Sequence, residues 1–206
     1  TSMLALGDGE SPVAIQVFGG DPDVMAEAAR AVEAAGADMV DINMGCPVPK
    51  IMKTGAGASL LADPDRAAAV IRAMSDAVRI PVSVKMRRGL RPGDMDPAEN
   101  ARRFADAGAA LITIHPRAAA EEYAGTADHG ISAQVVAAVD VPVVISGDIS
   151  DATGAREALE RTGAAGVMIG RAGLGNPWVL GAIARGETDP RPGQSEVIDE
   201  LTAFCG

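Results

Sequence analysis

Asp96-Pro97-Ala98-Glu99-Asn100-Ala101-Arg102-Arg103-Phe104-Ala105-Asp106-Ala107-Gly108-Ala109-Ala110-Leu111-Ile112-Thr113-Ile114-His115 holds one helix-to-strand unit. Asp96 is an N-cap and Pro97 suits the first helical position, where a missing N–H costs nothing. Gly108 is the expected left-handed stop, and Leu111–His115 is a short β-branched run that reads as a strand. The same opening recurs at Asp21-Pro22 and Asp63-Pro64, and the same stop at Gly36-Ala37 and Gly163-Ala164. Helices are therefore expected from Asp21 to Gly36, Asp63 to about Arg79, Asp96 to Gly108, about Ile131 to Val139, and after Ser150-Asp151 to Gly163. Strands are expected at Val13–Phe18, Met39–Asn43, Val82–Met86, Leu111–His115, Val143–Ser146 and Val167–Ile169. Pro81 and Pro142 fall at strand starts, where proline is tolerated. Most of these runs are nearly continuously apolar, which suits a parallel sheet buried on both faces. Six βα units without a hairpin signal leave two architectures, a (β/α)8 barrel and an open doubly wound sheet.

The rest of the composition narrows the class. With 206 residues and 48% apolar residues the chain can build one real core, and aromatics at 2% make that core aliphatic. No apolar run reaches the ~18 residues that cross a bilayer, and no secretory leader opens the chain, so neither a membrane role nor export is expected. Cys46 and Cys205 lack the spacing of a disulfide framework or a zinc site, which points to a reducing compartment, the cytoplasm, and to no metal. The net charge is −10, so nucleic acid would be repelled unless the basic groups cluster. All three lysines, Lys50, Lys53 and Lys85, lie in the first half of the chain, with Arg87, Arg88 and Arg91 near them in sequence.

In parallel α/β proteins the reactive side chains gather at the C-terminal strand ends. Here those ends are Gln16 with Gly19-Gly20, then Asn43-Met44-Gly45-Cys46-Pro47, Lys85-Met86-Arg87, His115-Pro116-Arg117, Ser146-Gly147-Asp148 and Gly170-Arg171. Cys46, between glycine and proline in a tight turn, is a candidate acid or nucleophile, or else a buried structural thiol. The segment Val48–Ala58 behind it is long, basic and glycine-rich without being a P-loop, and loops of that length are usually functional. Lysine and histidine at adjacent strand ends point to a shared site. The glycine turns after the last two strands suit a phosphate, held by backbone N–H groups with Arg171 adding charge. If those are barrel strands seven and eight, the six strands are three to eight. Residues 1–185 then form an N-terminally incomplete barrel, and 186–206 a linker and the start of a C-terminal helical domain.

The motifs Asn43-Met44-Gly45-Cys46-Pro47 and Lys53-Thr54-Gly55-Ala56-Gly57-Ala58, with Lys50 between them, resemble the signature of the tRNA-dihydrouridine synthases. Ala14–Gly19, Val84–Arg87, Ile114-His115, Gly147–Ile149 and Gly166–Arg171 agree in order, so the similarity runs from about Val13 to Leu180. The sequence departs from the family at Ser146, where asparagine is usual, and at Pro116, where glycine is usual.

The resemblance implies an FMN-dependent (β/α)8 barrel that reduces the C5–C6 bond of particular tRNA uridines, with NADPH reloading the flavin. It implies flavin contacts from Gln16, Lys85 and His115, and a ribityl-phosphate site at Ser146, Gly147, Asp148, Gly170 and Arg171. Cys46 is then the proton donor to C5 and Asn43 a uracil contact, while Lys50, Lys53, Arg87 and Arg88 meet tRNA phosphates. A monomer is expected. Two other readings stand beside it: an FMN barrel acting on a small ene or pyrimidine substrate, and an inactive barrel remnant that keeps an RNA-binding or interaction role.

Overall fold

The structure is a computed structural model and describes residues 4–7, 9–187 and 192–205. Six parallel strands form one sheet in strictly sequential order: β1 (Ala14–Val17), β2 (Met39–Met44), β3 (Val82–Arg87), β4 (Leu111–His115), β5 (Val143–Ser146) and β6 (Gly166–Met168). Among the described residues eight α-helices accompany them: α1 (Pro22–Ala34), the short α2 (Pro49–Met52), α3 (Pro64–Ala77), α4 (Pro97–Asp106), α5 (His129–Val136), α6 (Ala152–Thr162), α7 (Trp178–Arg185) and α8 (Gln194–Cys205). The sequential order decides between the two architectures. A doubly wound sheet reverses its strand order at a switch point, whereas right-handed crossovers between successive neighbours lay every helix on one face. The helices form that single layer, since α1 packs on α3, α3 on α4, α4 on α5, α5 on α6 and α6 on α7. The fold is therefore a partial (β/α)8 barrel, six consecutive units of it.

The aspartate caps do what the sequence promised. Asp21, Asp63, Asp96, Asp128 and Asp151 each accept a backbone N–H of the helix they open, worth ~1 kcal/mol apiece. Helix α5 is displaced from the expected Ile131–Val139, because Asp128 caps it two residues earlier and it ends at Val136. Helix α3 stops short of Arg79, because Glu33 of α1 takes the N–H groups of Arg79 (2.7 Å) and Ile80 (3.2 Å) and turns the chain into β3. Helix α7 had no counterpart in the sequence reading. Gly186, left-handed at φ 72°, closes it, and residues 188–191 of the expected linker lie outside the described residues.

The strands are not buried alike on both faces. Val40, Ile42, Met44, Val82, Val84, Met86, Ile112, Ile114, Val143 and Ile145 point at the helices and are buried in the one hydrophobic core. Alternation sends the intervening residues to the other face. There the register sets Gln16 beside Asp41, Asp41 beside Ser83, Asn43 beside Lys85, Lys85 beside Thr113, and Arg87 beside His115. The inner face of the barrel wall is thus polar, and short strands with one polar residue in two had passed for continuous apolar runs. No helix among the described residues is long and apolar enough to cross a membrane.

Candidate active site

The polar face and the C-terminal strand ends open into one cleft of about 900 Å3, within the range of small-ligand sites. Gln16, Asn43, Cys46, Lys85, Arg87, His115, Tyr123, Ser146, Gly147, Asp148, Gly170 and Arg171 all line it. Lys50, Lys53 and Arg88 are not among its lining residues.

Its floor is a hydrogen-bonded chain that runs to the cysteine turn. Ser83 Oγ donates to Asp41 Oδ1 (2.6 Å), and Gln16 Nε2 donates to Asp41 Oδ2 (2.6 Å). Asn43 Nδ2 donates to Gln16 Oε1 (2.8 Å), while Asn43 Oδ1 accepts the N–H groups of Gly45 (3.1 Å) and Cys46 (2.9 Å). Both acceptor sites of the Asn43 amide oxygen are taken, so Asn43 can offer a ligand only its remaining N–H, while Gln16 offers an N–H and one lone pair of its oxygen. Burial raises the Asp41 carboxyl above its usual range, opposed by its bonds to Ser83 and Gln16 and by the Lys85 charge. Burial, and then the Arg87 charge, lower the Lys85 ammonium, with Asp41 opposing.

His115 is 8% exposed. Burial first, and then Arg87, Lys85 and Arg117, push its pKa down to about 4, against a weaker pull from Asp148. The imidazole is therefore neutral at pH 7. Its Nε2 lies 3.3 Å from Arg117 Nη1, and a guanidinium can only donate, so Nε2 accepts and Nδ1 carries the proton. Arg117 is itself buried. It holds the carbonyls of Ala124 and Gly125 and pairs with Asp148 Oδ2 at 2.6 Å.

Asp148 anchors the far side of the cleft. Its carboxylate also accepts the Ala127 N–H (2.8 Å) and the Arg171 guanidinium (3.0 Å), and its backbone sits at φ 55°. The Arg117 hydrogen bond, ahead of the other contacts, holds its carboxyl below the usual range. Arg171, paired to Asp148, also lies over the Tyr123 ring, 4.7 Å from its centroid. The N–H groups of Asp148, Gly170 and Arg171 find no acceptor among the described residues. A Cβ on Gly170 would meet nothing within 4 Å, so that turn is open on the cleft side.

Cys46 is a free thiol, half-buried. The segment behind it is not loose. Cys46 O accepts the Ala58 N–H (3.0 Å), and Arg66 of α3 reaches up to the Gly20 carbonyl (2.6 Å) beside Gly55. Gly57 has φ 64°, and a Cβ there would lie 2.8 Å from Cys46 O, so only glycine closes this turn.

The basic residues divide into two kinds. Lys50 and Lys53 are exposed on the segment behind Cys46. Arg87 was expected at an RNA surface, but it is 6% exposed and its guanidinium is held by the carbonyls of Gly45, Ala118 and Glu122. The cause is strand parity: Arg87 shares the inner face with Ser83 and Lys85. Arg88 pairs with Glu121 at 2.6 Å, with its side chain 19% exposed.

The sequence reading passed over Asp41, Arg117 and Tyr123 as site residues. The alternation of β2 could have signalled Asp41, two residues before Asn43 on the same face. Among the described residues no three His, Cys, Asp or Glu side chains cluster as metal ligands would.

The chain spans 59% of the length of the probable tRNA-dihydrouridine synthase of Rhodobacter capsulatus, to which it is 46% identical over 91% of its own length. It is 47% identical to the probable tRNA-dihydrouridine synthase 1 of Synechocystis sp., covering 88% of this chain and 51% of that protein. Against tRNA-dihydrouridine synthase B of Xanthomonas axonopodis it is 39% identical, covering 92% and 58%. Two crystal structures of (S)-mandelate dehydrogenase variants superpose with TM-scores of 0.54 and 0.55 at 18% identity, over 84% of this chain and 54% of theirs, a likeness of fold alone. The family model described as dihydrouridine synthase (Dus) matches residues 1–204. The Cys46 turn, the polar barrel face and this match agree: the chain belongs to the dihydrouridine synthase family.

Proposed function

We propose that the chain is the barrel core of a flavin-dependent enzyme that reduces uridines of tRNA to 5,6-dihydrouridine, with residues 1–185 as the catalytic unit and 186–206 leading into a helical one. The observation that carries this reading is the convergence on one cleft of the Cys46 thiol, the N–H donors of Gln16, Asn43 and Lys85, and two glycine turns with free N–H groups. The residues fit FMN. Asp148, Gly170 and Arg171 would hold its phosphate through backbone N–H groups, aided by the Arg171 charge, with Ser146 and Gly147 shaping that turn. Gln16, Lys85 and His115 would meet its ring system with donors. FMN bound there supplies the hydride for uracil C6, and NADPH is the reductant that restores it.

The chain's own groups do the rest. The buried Lys85 ammonium favours negative charge in the cleft, where low dielectric strengthens its field. Asn43 donates its free Nδ2–H to a uracil carbonyl. Cys46 holds, on Sγ, the proton destined for C5, and the backbone bonds of its turn keep that thiol in place. His115, neutral with its proton on Nδ1, orients as a hydrogen-bond donor and does not act as an acid. Lys50 and Lys53 meet RNA phosphates beside Cys46, which concentrates positive charge at one place on an acidic protein. Arg87 and Arg88 support the site from within: Arg87 ties the Cys46 turn to Ala118 and Glu122, and Arg88 pairs with Glu121.

The test is direct. Purified protein titrated with FMN should quench flavin fluorescence saturably, and with NADPH it should form dihydrouridine in unmodified tRNA, measured by nucleoside mass spectrometry. FMN binding with turnover of a small enone or free pyrimidine and none of tRNA would refute the substrate. No flavin binding at all would refute the cofactor.

A further inference from the structure

The phosphate-facing corner Gly147-Asp148 is oriented by a residue outside the site described so far. We infer that His129 is a positioning residue: by holding the Gly147 carbonyl it turns the Gly147–Asp148 peptide so that the Asp148 N–H faces an anion in the cleft. The identity of that anion, the phosphate of FMN, rests on the function proposed above.

His129 is the first residue of α5, placed there by the Asp128 cap. Its Nε2 lies 3.0 Å from Gly147 O. A carbonyl only accepts, so Nε2 carries the proton, and Nδ1 faces Ser132 Oγ at 3.4 Å, with Ser132 fully buried. A trans peptide is planar and its N–H points opposite its C=O. With the carbonyl pulled toward α5, the Asp148 N–H is directed away from α5, toward the cleft that both residues line. That N–H has no acceptor among the described residues.

The corner needs such a hold. Gly147 has φ 113° and Asp148 φ 55°, and a Cβ on Gly147 would lie 2.9 Å from both Ala127 Cβ and His115 Cδ2. Glycine is obligatory there, and glycine leaves the following peptide plane free to turn over at low cost. The bonds from Arg117, Arg171 and Ala127 all end on the Asp148 carboxylate and fix the side chain, not the peptide. Among the described residues, His129 is the group that holds the peptide itself.

The experiment compares FMN with riboflavin, which lacks the phosphate. The protein, His129→Phe and His129→Gln are titrated with each by fluorescence quenching. His129→Phe keeps a ring and loses the donor, and FMN should bind about tenfold more weakly while riboflavin is unaffected. His129→Gln, whose amide N–H can reach the carbonyl, should bind FMN within about threefold of the parent protein. Equal losses for both flavins, or no loss for either, would overturn the assignment. Where the parent protein binds neither flavin, the FMN reading falls. Amide exchange over residues 147–150 then decides: faster exchange in His129→Phe than in His129→Gln and the parent upholds the positioning role, and equal exchange overturns it.

Discussion

Replacing His115 by glutamine should flatten the pH dependence of stability, and the size of the effect follows from where the imidazole sits. Folding lowers its pKa from 6.5 to about 4. The native protein therefore refuses a proton that the unfolded chain takes up below pH ~6.5. The unfolded state binds more protons throughout that interval, so unfolding free energy falls as pH falls, by ~1.4 kcal/mol per pH unit. The full loss is about 3 kcal/mol, reached near pH 4 and constant below it.

The carboxylates that folding depresses, Asp148, Glu121, Glu99 and Glu187, begin to add a slope of the same sign near pH ~5, and do so in both proteins. Asp41, raised by burial, acts in the opposite sense and does so in both proteins. The difference between parent and His115→Gln thus isolates His115, and between pH ~5 and ~6.5 it should reach about 2 kcal/mol. Urea denaturation at half-unit pH steps, without added flavin, reads it. Parallel slopes in the two proteins would refute the reasoning, because they would mean that neither burial nor the charges of Arg87, Lys85 and Arg117 bear on this imidazole as its position implies.

Other outcomes follow from the same geometry. Cys46→Ala should bind FMN as the parent does and lose about 10²–10⁴-fold in dihydrouridine formation under single turnover; parent-like rates would make Cys46 structural. Gly57→Ala places a methyl against Cys46 O at a positive φ and should cost about 2 kcal/mol in urea denaturation, and a neutral result would show that the Cys46 turn yields. Arg87→Met should lose about 3 kcal/mol of stability, since it leaves the buried Ala118 carbonyl and the part-buried Gly45 and Glu122 carbonyls without their donor. Lys50→Ala and Lys53→Ala should leave stability intact and each lower the salt dependence of tRNA binding by about one ion. A reduced salt slope in Arg87→Met with unchanged stability would reverse that division.

The helix starts and stops were legible in the sequence because they are local chemistry. An aspartate accepting the N–H groups just ahead of it, a proline at N1 and a left-handed glycine at the end act within a few residues, so Asp21, Asp63, Asp96 and Gly163 could be read without knowing what packs on them. The one clear displacement, α5, arose because the sequence reading did not recognise Asp128 as a cap, and that shift hid His129. Leu111–His115 and Val143–Ser146 were legible end to end, and the gathering of Gln16, Cys46, Lys85, His115, Gly147 and Gly170 in one cleft follows from parallel strand order alone.

What each polar side chain does there was decided by the tertiary structure. Arg87 and Lys50 are both cations beside the same motif, yet strand parity buries Arg87 under three carbonyls and an exposed segment leaves Lys50 in water. Asp148 and Arg171 read as two phosphate-site residues, and the fold pairs them with each other. The neutral state of His115 depends on its burial first and then on Lys85 and Arg87 from β3 and Arg117 from the turn after β4, and the orientation of the Gly147 peptide depends on a histidine 18 residues away in sequence. Backbone propensity is set by nearest neighbours in the chain, whereas charge, hydrogen-bond polarity and burial are set by neighbours in space, and those come into contact only when the strands have taken their register.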